Sequence, residues 1–178
     1  VEWAIEQIDA GASSVLDMGT GSGAIALSCK ASRPAVAVSG LDSSPCALDC
    51  ARENAIALGL EVEWLLSDWF SALNDRTWPL IIANPPYIAA DDPHLVQGDL
   101  PAEPASALIG GVSGLESLLH LIQHARDYLT DGGWLLLEHG FDQGAAVRAV
   151  LQEHQYCSVS TRSDWSGHER LTGGQWRR

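Results

Sequence analysis

Basic residues are scarce in this sequence. Lysine and arginine together number 10 against 23 aspartates and glutamates, which gives a formal net charge of −13 over 178 residues. Lys30 is the only lysine, and no cluster of basic residues offsets the acidic surface. Because such a surface repels nucleic-acid phosphates, direct binding of DNA or RNA is disfavoured. The charge suits a basic protein partner better.

Long apolar runs and patterned cysteines are also missing. No apolar stretch reaches the roughly 18 residues that a membrane span requires, and the first residues do not resemble a secretory signal. The four cysteines have neither disulfide nor zinc-site spacing; they are Cys29, Cys46, Cys50 and Cys157. We therefore expect a cytoplasmic protein, unattached to membranes, whose thiols are small buried residues in a reducing compartment.

The length of the chain fits a single domain with a sizeable core. The sequence begins at Val1, without methionine, and goes straight into a helical pattern. We therefore expect residues 1–178 to form one domain of a longer protein. A monomer is the expected state.

Apolar runs typical of strands alternate with amphipathic, helical segments along most of the chain. This alternation predicts an α/β fold, with a doubly wound, mostly parallel sheet of seven strands. No helix separates the last two strands, so we expect an antiparallel last strand. The predicted strands are Ser14–Met18, Ala35–Leu41, Glu61–Leu66, Pro79–Ala83, Gly133–Glu138, Tyr156–Thr161 and about Arg170–Trp176; the predicted helices are Val1–Ala10, Ala24–Ala31, Cys46–Leu58, Leu115–Leu129 and Gln143–His154.

The tetrapeptide Asn84–Tyr87, Asn-Pro-Pro-Tyr, directly follows the fourth predicted strand. Each proline fixes φ and removes an N–H donor, and each also restricts the residue before it. The result is a stiff, extended backbone whose carbonyls are free to accept hydrogen bonds, between an amide side chain and an aromatic ring. This arrangement favours binding of a planar –NH2 group. A strand exit without any chemistry is the alternative.

A glycine-rich turn, Asp17–Gly23, joins the first strand to the first following helix. In doubly wound sheets, ligands bind at the carboxyl ends of the strands, where glycines let a ligand approach the backbone. Asp42 closes the second strand about 20 residues further on, the position of an acid that receives ribose hydroxyls. Gly19, Gly21 and Ala24 also fit the dinucleotide pattern, which leaves a nicotinamide cofactor as an alternative.

Two more segments follow strands and are candidates for the same site. Asp68 and Trp69 come after the third strand, where an acid and an indole could flank an adenine ring; the alternative is that Trp69 and Phe70 are core residues. The long segment from Ile88 to about Gly114 exceeds ordinary connections and predicts a lid or a binding loop.

With these residues placed, the chain resembles the HemK-type protein-(glutamine-N5) methyltransferases of class I peptide-chain release factors. Asp17–Gly23 resembles motif I of class I S-adenosylmethionine-dependent methyltransferases, so the resemblance implies that fold. The similar segments are Val15–Leu27, Ser67–Leu73, Asn84–Ile88, Asp92–Leu95 with Gly98-Asp99, Glu103-Pro104 with Ala107-Leu108, and Leu135–Gly140.

The resemblance implies S-adenosylmethionine as cofactor, a class I release factor as protein substrate, and no metal. It implies that Asn84, Pro85 and Tyr87 are catalytic. The implied cofactor-binding residues are Asp17, Gly19, Thr20, Gly21, Gly23, Asp42, Asp68, Trp69 and Asn84, and the implied substrate-binding residues are Asn84, Pro85, Pro86, Tyr87 and Glu103. The family's N-terminal helical domain, which helps to dock the release factor, is absent from these 178 residues.

Other functions stay open at this point. Adenine-amino methyltransferases of DNA and RNA share Asn-Pro-Pro-Tyr, although the net charge opposes them. A non-catalytic cofactor-binding fragment is a further alternative. Gly173-Gly174-Gln175 spells the tripeptide that the family's substrates present, so it is either a self-substrate or a pair of glycines in the last strand. His120 and His124 lack the glutamate of a zinc-binding H-E-x-x-H motif.

Overall fold

A single sheet runs through the chain in the strand order β3-β2-β1-β4-β5-β7-β6. The computed structural model describes residues 1–96, 98 and 104–178. Within them, the strands are β1 Ser14–Met18, β2 Ala37–Asp42, β3 Glu63–Leu66, β4 Trp78–Ala83, β5 Leu129–Glu138, β6 Cys157–Ser163 and β7 Glu169–Gln175. The helices are α1 Glu2–Asp9, α2 Ala24–Ser32, α3 Pro45–Leu58, α4 Ala105–Leu108, α5 Glu116–Tyr128 and α6 Gly144–Glu153, with a 3₁₀ turn at Pro93–Val96.

The first five strands are parallel, and β7 is antiparallel to both of its neighbours, β5 and β6. This topology confirms the predicted doubly wound sheet with an antiparallel last strand. It also brings the carboxyl ends of β1 to β5 to one edge of the sheet, which is where such folds bind ligands.

The sheet has an apolar layer on each face. One layer packs α1 and α2 against the sheet and includes Trp3, Val15, Cys29, Leu80 and Leu136. The other lies beneath α5 and α6 and includes Leu16, Met18, Leu41, Ile81, Leu121, Leu135 and Val147. Successive strand residues thus alternate between the two layers, as the pleat requires.

Helix α3 shows how local sequence sets an element's limits. The Ser44 hydroxyl accepts a hydrogen bond from the Ala47 amide at 3.3 Å, and Pro45 occupies the first turn, where its missing N–H costs nothing. Gly59 ends the helix with φ at 66°, in the left-handed region that glycine enters most easily. These signals explain why the predicted start and end of this helix agree with the structure.

Some predicted limits and burials are wrong. Strand β5 begins at Leu129 instead of Gly133, because Leu129 already pairs with Trp78 of β4 across an irregular step. The expectation of buried thiols holds for Cys29, whereas Cys46 and Cys50 are exposed on α3. Among the described residues, no helix combines the length and the apolar character needed to cross a bilayer.

The Gly-Gly-Gln tripeptide is a packing feature of β7. A Cβ atom at Gly173 would lie 2.6 Å from a Leu136 methyl and 2.8 Å from the Trp3 ring, so only glycine fits between them. The side-chain amide of Gln175 donates to the Gly132 carbonyl at 2.8 Å. Because β7 is antiparallel to β5, Gln175 pairs with Trp134, away from the carboxyl end of β5, whereas Asn84 follows Ala83, which pairs with Leu137 near that end. Gln175 and Asn84 therefore lie at opposite ends of the parallel strands. Within one molecule the structure thus separates Gln175 from Asn84, and the packing of Gly173 favours the alternative, a pair of glycines in the last strand.

We predict that Gly173→Ala destabilises the protein by about 1–3 kcal/mol, because the added methyl overpacks the contact between Leu136 and Trp3. Urea unfolding followed by tryptophan fluorescence measures the change. Unfolding at the same urea concentration as the unsubstituted protein would show that β7 tolerates a side chain here.

Candidate active site

The strand register brings the two main motifs together. Met18 of β1 pairs with Leu41 of β2 on one side and with Ala83 of β4 on the other. Gly19 follows Met18, and Asn84 follows Ala83, so these two residues leave the sheet side by side. Neighbouring strands lie about 4.8 Å apart, so the glycine turn and the Asn-Pro-Pro-Tyr segment are within reach of one small ligand.

A cavity of about 510 Å³ opens at this edge. Its volume lies within the roughly 300–1,000 Å³ typical of small-molecule sites. Eight of the predicted site residues line it, namely Gly19, Gly21, Asp42, Asp68, Trp69, Asn84, Pro85 and Pro86. The structure thus collects residues from four separate strand ends into one chamber.

The glycines of the turn divide into two roles. Gly19, Gly21 and Gly23 all have positive φ, at 68°, 55° and 84°, where other residues are strained. No other atom lies within 4 Å of a Cβ built at Gly19 or at Gly21, whereas one at Gly23 would meet Trp64 at 3.0 Å. Gly19 and Gly21 therefore leave room for a ligand against the backbone, and Gly23 allows packing beneath the turn.

Asp17 supports the turn from below. It is buried, and its Oδ2 accepts hydrogen bonds from the Thr20 hydroxyl at 2.6 Å and from the Ala26 amide at 3.0 Å. Its other oxygen, Oδ1, is buried without a hydrogen-bond partner. Burial raises the pKa of Asp17 to about 6, against the opposing effect of the Thr20 hydroxyl. Neither Asp17 nor Thr20 is among the cavity-lining residues.

Asp42 connects the turn to the start of α3. Its Oδ2 accepts from the Gly21 amide and its Oδ1 from the Ser44 amide, both at 2.9 Å. The carboxylate is half-buried and borders the cavity. The role predicted for Asp42, receiving ribose hydroxyls, stays a prediction.

Trp69 has an unusual backbone conformation at the cavity wall. Its φ is 47°, which a bulky residue adopts only when its surroundings impose it. The Ser67 hydroxyl donates to the Trp69 carbonyl at 2.7 Å and accepts from the Ala72 amide at 3.1 Å, and so holds this turn. Trp69 both lines the cavity and packs against the core, whereas Phe70 is a core residue.

The two histidines of α5 lie behind Trp69. The His120 ring centroid is 5.5 Å from that of Trp69 and 4.5 Å from that of His124. Burial, and the neighbouring His124, lower the pKa of His120. In the part of the chain that the structure describes, no group of three or more His, Cys, Asp or Glu side chains is arranged to hold a metal ion.

Asn84 is exposed to the cavity, while Pro85 is buried behind it. Tyr87 does not line the cavity; its ring packs against the core, and its carbonyl accepts a hydrogen bond from the Gln143 side chain at 2.9 Å. The peptide bonds before both prolines are trans. The remaining predicted site residue, Glu103, lies outside the described residues.

The sequence predicted a lid or a binding loop between Ile88 and about Gly114, but not which of its residues line the cavity. Pro104, Ser106, Ala107 and Ile109, in and around the short helix α4, line it together with Ser117 at the start of α5. The unusual length of the connection after Tyr87 signalled a functional loop. Four residues of helix give no periodic signal, so α4 itself was not foreseeable.

The fold and this edge cavity define a class of protein, the methyltransferases with a Rossmann-like sheet. The chain belongs to the methyltransferase small domain family, whose profile matches residues 3–101, more than half of its length.

Curated relatives give a finer comparison. The chain is similar to release factor glutamine methyltransferases from Pseudomonas aeruginosa, with 48% identity over 177 residues, and from Escherichia coli K12, with 42% over 177; each alignment covers 99% of this chain and 64% of the relative. The Vibrio cholerae enzyme of that name is 47% identical over 165 residues, covering 92% and 58%. The resemblance stated from the motifs is thus confirmed, and the chain spans about three-fifths of these relatives.

Solved structures show the same fold at low identity. A methyltransferase from Pyrococcus furiosus superposes with a TM-score of 0.73 at 18% identity, covering 94% of this chain and 77% of that one. Magnesium protoporphyrin IX methyltransferase from Synechocystis, solved with S-adenosylmethionine bound, gives a TM-score of 0.62 at 16% identity, covering 99% and 76%.

We predict that Asp42→Ala weakens binding of S-adenosylhomocysteine at least tenfold. The change removes a charged acceptor that organises the turn, and each such hydrogen bond contributes about 1.5–3 kcal/mol. Calorimetric titration measures the affinity. Asp49→Ala is the matched control, since Asp49 is an exposed α3 residue paired with Arg52 at the surface. Equal affinities of the two variants would contradict the role of Asp42.

We predict a pH signature for Asp17. Because its folded pKa of about 6 exceeds the ordinary 3.8, the folded state binds this proton more tightly than the unfolded state. Its stabilising contribution is present at low pH and is lost as the pH rises towards 6 and above, by about 3 kcal/mol in all. Urea unfolding of the protein and of Asp17→Asn between pH 4 and 7 measures this. Parallel stability curves would contradict it.

Proposed function

We propose that this chain is the catalytic domain, residues 1–178, of a methyltransferase that transfers a methyl group from S-adenosylmethionine to the glutamine side-chain amide of the Gly-Gly-Gln motif in class I peptide-chain release factors. The observation that carries the proposal is the single cavity lined by both the glycine turn and Asn84–Pro86. The identity to release factor glutamine methyltransferases supports the choice of substrate.

The residues present fit the cofactor. Open space beside Gly19 and Gly21 is a feature expected of a turn that holds a ligand. Asp42 would receive the ribose hydroxyls, and Asp68 and Trp69 would flank the adenine, as the resemblance implies. Thr20 and Gly23 would act through the shape of the turn. When bound, S-adenosylmethionine supplies an electrophilic methyl group.

The Asn-Pro-Pro-Tyr segment would orient the target nitrogen. An amide nitrogen is a poor nucleophile, because its lone pair is delocalised into the carbonyl. The Asn84 side-chain oxygen and the Pro85 carbonyl would accept its two N–H groups, with Tyr87 packed beside it, so that the nitrogen becomes more pyramidal and its lone pair faces the methyl. Fixing the reacting atoms about 3–3.5 Å apart lowers the barrier.

These acceptors also favour the transition state over the ground state. As the nitrogen gains positive charge, its N–H groups become stronger donors, so the bonds to Asn84 and Pro85 strengthen during the reaction. A strong base at the site is unnecessary, because a methylated, positively charged amide is acidic and loses its proton readily.

The charge of the chain favours a protein target over a nucleobase. A net charge of −13 opposes approach of a polyanion, whereas it attracts a basic partner. We propose a monomer that acts in the cytoplasm, without direct nucleic-acid or membrane contacts. Glu103 remains a predicted substrate-side residue.

A methyl-transfer assay tests the proposal. Purified chain and labelled S-adenosylmethionine are incubated with a class I release factor, with the same factor lacking the Gly-Gly-Gln glutamine, and with adenine-containing DNA and RNA. Label is expected in the intact release factor alone. Label in nucleic acid would favour the adenine-amino alternative, and failure to bind S-adenosylhomocysteine would contradict the cofactor assignment.

We predict that Asn84→Ala lowers kcat on the release factor by about 100-fold or more, the loss typical of removing one transition-state hydrogen-bonding group. The affinity for S-adenosylhomocysteine is expected to change far less, since the amide mainly serves the substrate. Single-turnover kinetics and calorimetry on the same preparation separate the two effects. Normal turnover would remove Asn84 from the mechanism.

A further inference from the structure

The Asn-Pro-Pro-Tyr segment is stiff and is anchored at both ends. At its start, Ala83 is held in the sheet between Met18 and Leu137. Between Asn84 and Tyr87, two prolines with fixed φ leave few free torsions. Whatever holds the backbone at Tyr87 therefore also determines where the Pro85 carbonyl points.

The side-chain amide of Gln143 holds that far end. Gln143 lies just before α6, and its Nε2 donates to the Tyr87 carbonyl at 2.9 Å and to the Gly114 carbonyl at 3.4 Å. Its Oε1 accepts from the Gly140 amide at 2.8 Å. One side chain thus ties together three backbone segments, namely the motif, the end of the long loop and the residues after β5.

The geometry dictates the amide's orientation. Both Nε2 contacts are carbonyl oxygens, which only accept, and the Oε1 contact is an N–H, which only donates. A glutamate at this position would set an oxygen against the carbonyls of Tyr87 and Gly114. The position therefore requires a side chain that both donates to the two carbonyls and accepts from the Gly140 amide. A side-chain amide meets this requirement, and a carboxylate of the same length does not.

The long loop returns close to the motif at the same place. Gly110 donates to the Ile88 carbonyl at 2.9 Å, and Ile88 donates to the Leu108 carbonyl at 3.0 Å. A Cβ at Gly110 would lie 2.4 Å from the Pro86 carbonyl, and one at Gly114 would lie 2.5 Å from that of Tyr87. The loop and the motif form one layer, and the Gln143 amide links this layer to Gly140, just after β5.

The support beneath Gln143 is itself fixed. The buried His139 contacts the Gly140 carbonyl through Nδ1 at 2.8 Å and the Thr172 hydroxyl through Nε2 at 2.7 Å. Because a carbonyl only accepts, Nδ1 carries the proton and Nε2 accepts from Thr172. Burial lowers the pKa of His139, in keeping with this neutral form. Gly140 thus offers Gln143 a rigid base.

We propose that Gln143 is a positioning residue for the transfer reaction, which fixes the Asn84–Tyr87 backbone in the orientation that presents its acceptors to the target amide. The inference rests on the proposed function. Gln143 is not among the residues that line the cavity, so its effect is exerted through the motif and not through cofactor contacts.

Gln143→Glu tests the inference, with Gln152→Glu as the matched control. Both changes add one negative charge at an end of α6: Gln143 directly precedes the helix, and Gln152, which is exposed, lies in its last turn. For Gln143→Glu we expect kcat on the release factor to fall by tenfold to 100-fold, in line with small misplacements of reacting groups, and the affinity for S-adenosylhomocysteine to stay within about twofold. The control is expected to match the unsubstituted protein in both.

Amide hydrogen exchange gives a second readout that does not depend on turnover. In Gln143→Glu, the amides of Ile88, Ala90 and Gly110 are expected to exchange faster, since their layer loses its link to Gly140; in Gln152→Glu they are expected to be unchanged. Gln143→Met, which keeps the length without the hydrogen bonds, is expected to behave like Gln143→Glu in both measurements.

Three outcomes would overturn the inference. The first is unchanged exchange at these amides in Gln143→Glu, and the second is an unchanged kcat in that variant. The third is a loss of both cofactor affinity and melting temperature in Gln143→Glu, which would indicate a general structural role. If the unsubstituted protein binds S-adenosylhomocysteine but methylates no release factor, the proposed function fails on its own. Exchange then still decides whether Gln143 holds the motif.

Discussion

The pairing of β1 with β4 is the constraint on which the site depends. Because Met18 and Ala83 are partners in a parallel ladder, the chain segments that follow them leave the sheet at the same edge, one strand spacing apart. Asp42 reaches that edge by the same rule, since Leu41 is the other partner of Met18. A slip of one residue in either ladder would turn these side chains to the opposite face of the sheet. The site is therefore a consequence of register, and the two apolar layers fix the register.

Two residues near the cavity are held in unfavourable local states. Asp17 is a carboxylate with one unpartnered buried oxygen, and Trp69 is a bulky residue with positive φ. Both are costly in isolation. They persist because Thr20 and Ala26 bind Asp17, and because Ser67 bonds on both sides of the Trp69 turn. Strain and buried charge concentrated at one sheet edge are typical of a site selected for binding rather than for stability.

Sequence patterns predicted the elements that rest on local chemistry. The limits of α3 follow from Ser44, Pro45 and Gly59. The strands were predictable from apolar runs, because a sheet that is packed on both faces needs apolar residues on both sides of each strand. The cavity-lining residues of the strand ends were predictable for the same reason, since position at a carboxyl edge follows from the alternation of strands and helices. The start of β5 was missed, because its first residue pairs across an irregular step with Trp78.

Contacts between segments that are distant in the sequence could not be predicted. The link from Gln143 to Tyr87 spans 56 residues, and the link from His139 to Thr172 spans 33. Neither leaves a periodic or compositional signal. The role of α4 in covering the cavity is likewise set by how the long loop folds back on Pro86, through the close approach of Gly110. Such details decide where the acceptors of Asn84 and Pro85 point, and only the folded chain shows them.

We propose that one cavity places a bound methyl donor next to Asn84. A crystal structure of the protein with S-adenosylhomocysteine would show where the donor lies. We expect the adenosine between Asp42 and Trp69, with the sulfur facing the Asn84 side-chain oxygen at about 6–7 Å. In near-attack contact the sulfur and the target nitrogen are about 5 Å apart, and that nitrogen is hydrogen-bonded to Asn84 at about 2.9 Å. Adenosine bound elsewhere, or a sulfur turned away from Asn84, would contradict it.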